Sequence, residues 1–186
     1  MSENLNVDTF RNGDSIPQAK SIEEWILALN NKQSAYCYFN NHKIQDDPQN
    51  GDKYGKLYNC YAVKDKRELS PKGWHIPSYD EWTMLTNQLG GRQLAKYKVK
   101  STYGWYKTNG SDSVGFNALP GGFREEDGRF HGLGFIGIWW CSSDDYIGLL
   151  IQDCGKPLVG GRTNDTQTRF KNKVNRRGFS VRCVKD

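Results

Sequence analysis

Aromatic rings and glycines, rather than leucine and alanine, have to build the interior of this chain. Six Trp, ten Tyr and eight Phe supply 13% of the 186 residues and 20 more are Gly, while the whole hydrophobic set reaches only 36%. A helical bundle runs on long aliphatic stripes. This balance instead predicts short strands, tight turns and long ordered loops around one core. No apolar run approaches the roughly 18 residues of a membrane span. The start, Met1-Ser2-Glu3-Asn4, is polar, with no basic n-region or apolar h-region. It predicts a cytosolic chain or the mature part of a longer one.

Two helices are marked by their first turns. Ser21-Ile22-Glu23-Glu24 and Ser78-Tyr79-Asp80-Glu81 each have the form of a capping box, in which a hydroxyl and a carboxylate satisfy orphan backbone donors. Ile22, Trp25, Ile26 and Leu29 then follow at helical spacing, and Trp82, Leu85 and Leu89 do the same before Gly90-Gly91 closes the second helix. Strands are predicted over 5–10, 35–39, 123–130 (a hairpin around Asp127-Gly128), 138–142, 146–152 and 179–184, with 54–63 extended. Beyond residue 91 no helical period is visible. The reading is one α+β domain over 1–186, without repeats or a linker.

Several ordered segments carry a resemblance. They are Asn4-Leu5-Asn6 with Phe10-Arg11-Asn12-Gly13-Asp14; Tyr54-Gly55-Lys56-Leu57-Tyr58-Asn59; Pro71-Lys72-Gly73-Trp74-His75-Ile76-Pro77; Gly115 through Gly122; Trp139-Trp140; and Gly178-Phe179-Ser180-Val181-Arg182-Cys183. In order and spacing the chain resembles the Fibrobacter succinogenes major paralogous domain, over nearly its whole length. The resemblance implies a C-type-lectin-like fold, of the group that includes formylglycine-generating enzymes. It also implies a bacterial surface or secreted protein without a defined catalytic set. The family's usual start lies upstream, so Met1 suggests truncation or a short cytosolic or phage-borne variant. Ser70 stands where many members carry Cys.

Function is expected on loops 91–115 and 142–177, since scaffolds of this kind hold binding residues on loops. The candidates for a glycan or protein ligand are Trp105, Tyr106, Trp140, Asp144, Asp145, Arg162, Arg169 and Arg176. Trp139 and Trp140 are neighbours, so a strand sends them to opposite sides; burial of both is the stronger reading. Trp105-Tyr106, Tyr97 and Tyr103 are better candidates for an exposed aromatic platform. Residues 156–186 carry nine Lys/Arg against two Asp, a +7 excess in a chain of net +5. That suits an anionic partner, although a solvated face is the stronger reading and no nucleic-acid motif accompanies it.

No cofactor is implied. Ser142-Ser143-Asp144-Asp145 and residues 46–52 offer oxygen ligands for calcium, but plain turns explain them better. No nucleophile elbow or metalloprotease motif occurs. His75 reads as a loop anchor. Among the five Cys, Cys141 and Cys154 are 13 positions apart across the hairpin expected from strands 138–142 and 146–152, a spacing that lets them meet. They suggest a disulfide or, as an alternative function, a cysteine-dependent enzyme of the formylglycine-generating type. A phage-tail or retroelement-diversified display protein is the remaining alternative.

Overall fold

A computed structural model describes residues 1–41, 53–143, 147–153, 158–159 and 176–186. Helix α1 spans Ile22–Asn30, with the Ser21 hydroxyl accepting from the Glu24 amide. Strand β1 (Tyr36–Cys37) precedes a short 3-10 turn at Phe39–Asn41. Strand β2 (Leu57–Asn59) runs straight into α2 (Cys60–Val63). The extended stretch expected over 54–63 breaks here because Asn59 is a helix cap. Its Oδ1 accepts from the Ala62 and Ala35 amides, and its Nδ2 donates to the Gln33 carbonyl.

Strand β3 (Trp74–His75) leads into α3 (Tyr79–Gln88), whose capping box is complete: Ser78 and Glu81 each satisfy the other's backbone amide. A fourth helix, α4 (Arg92–Val99), follows at once. The sequence gives it no visible period, because only Ala95 and Val99 are buried while Leu94 and Tyr97 face outward.

Strands β4 (Gly121–Arg124) and β5 (Phe130–Leu133) form the expected antiparallel hairpin, as do β6 (Ile136–Trp140) and β7 (Ile147–Gln152). Strands β8 (Leu158–Val159), β9 (Gly178–Phe179) and β10 (Val184–Lys185) are two residues each. The large sheet runs β1-β2-β9-β4-β6-β7-β8, with β5 off this path and paired to β4; β10 and β3 form a separate pair. The architecture is thus α+β, with four helices and mixed sheets among the described residues. None of those helices is long and apolar enough to cross a membrane.

Two expected strands are replaced by irregular chain. Residues 5–10 contact two different neighbours, Leu5 donating to the Val181 carbonyl and accepting from the Lys56 amide, and only Thr9 and Ser15 bridge across the Asn12-Gly13 turn. The closing stretch 179–184 splits between β9 and β10, so Ser180 and Arg182 are buried along with Phe179, Val181 and Cys183.

Strands β4 and β6 touch in parallel at a single pair, Gly122 and Gly137. A Cβ on Gly137 would lie 2.5 Å from the Trp139 ring, and one on Gly122 would lie 2.5 Å from the His131 carbonyl. The joint between the two halves of the sheet therefore requires glycine on both sides. Around it sit the aromatic clusters. Trp140 packs with Tyr58, Phe123 and Phe179, whereas Trp139 packs with Trp82 and Trp105.

Candidate functional site

The chain from Lys100 to Thr108 is fixed from below by a buried ion pair. Lys100 Nζ lies 2.9 Å from Asp153 Oδ1, and the two side chains are 3% and 1% exposed. Asp153 also accepts from the amides of Lys107 and Thr108, and Lys100 returns a hydrogen bond to the Thr108 carbonyl. Burial pushes the Asp153 carboxyl up. The Lys100 ammonium and the two amides outweigh this and hold its pKa below the usual carboxylate range.

Trp105 is the apolar half of the same anchor. It is 5% exposed, its ring lies under the Lys100 ammonium at 4.1 Å, and its N–H donates to Ser101 Oγ and the Ala118 carbonyl. The surface role expected for Trp105 is therefore corrected: with its donor satisfied inside the core, the indole has no face for a ligand. Its neighbour Tyr106 turns outward and is 73% exposed.

Tyr106 does not stand alone. Its backbone N–H donates to the Gly134 carbonyl at 2.9 Å, tying the loop to the β5–β6 turn. There its ring meets Phe135, 41% exposed, with centroids 4.6 Å apart and planes tilted by 35°. The Phe135 carbonyl accepts from the Asp153 amide, so both rings hang from the same buried residue. Phe135 was not among the sequence candidates; an aromatic residue between Gly134 and Ile136 at a glycine-rich turn was the signal. Tyr103 and Tyr97 are exposed as well, and the Lys53 ammonium sits 5.3 Å over the Tyr103 ring.

The other candidates fall differently. Trp140 is 2% exposed and its N–H donates to the Tyr58 carbonyl. Its proposed ligand contact is corrected, since the whole indole is enclosed. Arg176 is half-buried, bonded to Asn30 Oδ1 and 3.4 Å from Glu126. Arg177 is bonded to Glu125, and Arg182 is buried against the Phe116 and Asn117 carbonyls. Three cations of the basic segment thus have internal partners. Asp144, Asp145, Arg162, Arg169 and Cys154 lie outside the described residues, as does the oxygen-rich stretch 46–52. Ser143, in the same oxygen cluster as Asp144, accepts from the Tyr79 amide at the start of α3. No group of three metal-capable side chains occurs among the described residues.

Cys141 is buried, and burial pushes its thiol up to about 11, so it is not a thiolate at neutral pH. His75 bridges Asp186 through Nδ1 at 2.7 Å and Glu81 through Nε2 at 2.8 Å, clasping the β3–β10 pair to α3. The two carboxylates raise its pKa.

Several of the segments on which the resemblance rests have structural places. Gly73-Trp74-His75 forms the clasp strand, Gly121-Gly122 the sheet joint, and Trp139-Trp140 the paired cores. A family model, the Fibrobacter succinogenes major domain, matches residues 1–185. The chain belongs to that family. No curated protein and no solved structure matches it. Both Tyr106 and Phe135 lie within the matched span of this Fibrobacter succinogenes major domain.

Proposed function

We propose that this domain is a non-enzymatic ligand-binding module of C-type-lectin-like architecture, and that Tyr106 and Phe135 form its contact surface for a glycan. The observation that carries the reading is the exposed, tilted ring pair on a loop held by Lys100 and Asp153. Solvent-facing rings that touch one another are normally covered when a partner is present. A tyrosine offers an apolar face with a polar tip, which suits the C–H face and hydroxyls of a sugar ring. Fixing the loop beforehand lowers the ordering cost of binding. Cysteine chemistry fits less well, because a buried thiol near pKa 11 is a poor nucleophile. A surface or secreted location goes with this reading. The test is a glycan array probed with the purified domain, run beside the Tyr106→Ser, Phe135→Ser double variant. Saturable binding lost in the variant supports the proposal. An empty array, or equal binding by both proteins, overturns it.

A further inference from the structure

The chain around the aromatic pair is rich in cations and poor in acids. From Trp82 to Ser111 it holds Arg92, Lys96, Lys98, Lys100 and Lys107 and no Asp or Glu. The turn that carries Phe135 has no carboxylate either, from Phe130 to Ser143. Asp153, the acid that fastens the loop, is 1% exposed and pinned to Lys100. Asp112, the next acid along the chain, accepts from the Asn117 amide. The described surroundings of the platform are thus positive in sum, a setting that draws anions.

One cation is set beside the rings themselves. Lys53, half-buried just before β2, holds its ammonium 5.2 Å from the Tyr54 ring centre and 5.3 Å from that of Tyr103. Both distances lie within the ~6 Å of a cation–π contact. No carboxylate pairs with Lys53 among the described residues, so the two rings orient the charge without neutralising it. Gly104 joins this group to the platform. A Cβ on Gly104 would lie 3.9 Å from the Tyr54 hydroxyl, and the Gly104 carbonyl lies 4.0 Å from the place of a Cβ on Gly134. Gly134 accepts from the Tyr106 amide and precedes Phe135. Tyr103 and Tyr106 are three residues apart, so their Cα atoms lie within about 11 Å. A short oligosaccharide can span that distance.

We propose that the ligand of this site is an acidic glycan, with a sugar face on Tyr106 and Phe135 and a carboxylate or sulfate group on Lys53. The inference rests on the glycan-binding reading of the aromatic pair. A lysine ammonium is a compact point charge with three donors, which suits either anion. A neutral sugar would fill the rings and leave that charge unmatched.

The experiment is an array of matched pairs, each an acidic oligosaccharide beside its neutral form. The pairs are tetragalacturonate and its methyl ester, 3′-sialyllactose and lactose, and a carrageenan tetrasaccharide and its desulfated form. The first two read a carboxylate and the third a sulfate. Within at least one pair the acidic member should bind about fivefold tighter at low salt, and the gap should close as salt is raised. Lys53→Gln should bring that member down to its partner, and Lys53→Arg should keep the preference. Lys72→Gln removes an equal charge at the exposed turn before β3 and should also keep it. Equal binding within every pair, or no binding by any acidic member, overturns the proposal. An equal loss in Lys53→Gln and Lys72→Gln overturns it too, because net charge would then be the attraction. Neutral members that bind through Tyr106 without an acidic preference would overturn this inference and leave the aromatic platform standing. Acid-preferring binding that survives Tyr106→Ser would overturn the platform, and this proposal with it.

Discussion

Replacing Asp153 with alanine should unfasten the loop that carries Tyr106 and cost the fold about 3 kcal/mol. The carboxylate is the acidic partner of Lys100 among the described residues, at 2.9 Å, and both side chains are nearly fully buried. Removing one member of a buried pair typically costs about 3–5 kcal/mol, because the other charge is stranded. Lys100 keeps the Thr108 carbonyl and the Trp105 face, which places the loss at the lower end. In a chain of this length about 3 kcal/mol lowers the thermal midpoint by roughly 6–12 °C. Lys100→Met should cost less, since Asp153 retains the two amide donors from Lys107 and Thr108. Urea unfolding gives the free energies, and hydrogen exchange at residues 105–108 reports the loop. The pH dependence has a definite sign. The folded pKa of Asp153 is depressed, so its contribution is complete above the ordinary carboxylate value near ~3.9 and is lost as pH falls through the folded value. Wild type and Asp153→Ala should therefore converge in acid. A loss below about 1 kcal/mol, or unchanged exchange in the loop, would refute the claim that this pair holds the platform.

Three further outcomes follow from the packing. Gly137→Ala should destabilise by about 1–3 kcal/mol through overpacking, because its new methyl would press on the Trp139 ring; a neutral result in urea unfolding would show that the sheet joint can yield. The His75 clasp contributes stability below the ordinary histidine pKa and loses it as pH rises through the raised folded value, since the pKa is raised on folding. Exchange at Val184 and Lys185 should accelerate across that range in wild type but not in His75→Gln. Burial pushes Cys37, Cys60, Cys141 and Cys183 each up to about 11. A thiol-disulfide reagent at neutral pH should thus modify no more than one of the five cysteines before unfolding, and rapid modification of several would contradict the packing.

What the sequence made legible was whatever depends on neighbours close in the chain. Ser21 and Ser78 announce α1 and α3 because a cap is a contact across three residues. The hairpins of β4–β5 and β6–β7 are legible for the same reason, each turning within a few residues. Helix α4 was hidden because its inward face is only Ala95 and Val99, too short a stripe to register as a period. The site was half-legible. Trp105 and Tyr106 are adjacent, and nothing local says which turns inward; that is decided by Lys100, Asp153 and Ala118, all distant or silent in the local pattern. Phe135 enters the platform only because the β5–β6 turn folds back onto the Tyr106 backbone. The basic C-terminal excess misled in part, since Arg176, Arg177 and Arg182 find partners at Asn30, Glu125 and Asn4, far away in sequence.

The most direct test of the binding surface is a calorimetric titration of the strongest glycan from the array into wild type and Tyr106→Ser. Tyr106 is 73% exposed, so its loss should leave the fold intact. The account predicts affinity weaker by about tenfold or more at unchanged thermal midpoint, as for loss of an aromatic contact residue. Equal affinity in the two proteins would contradict it.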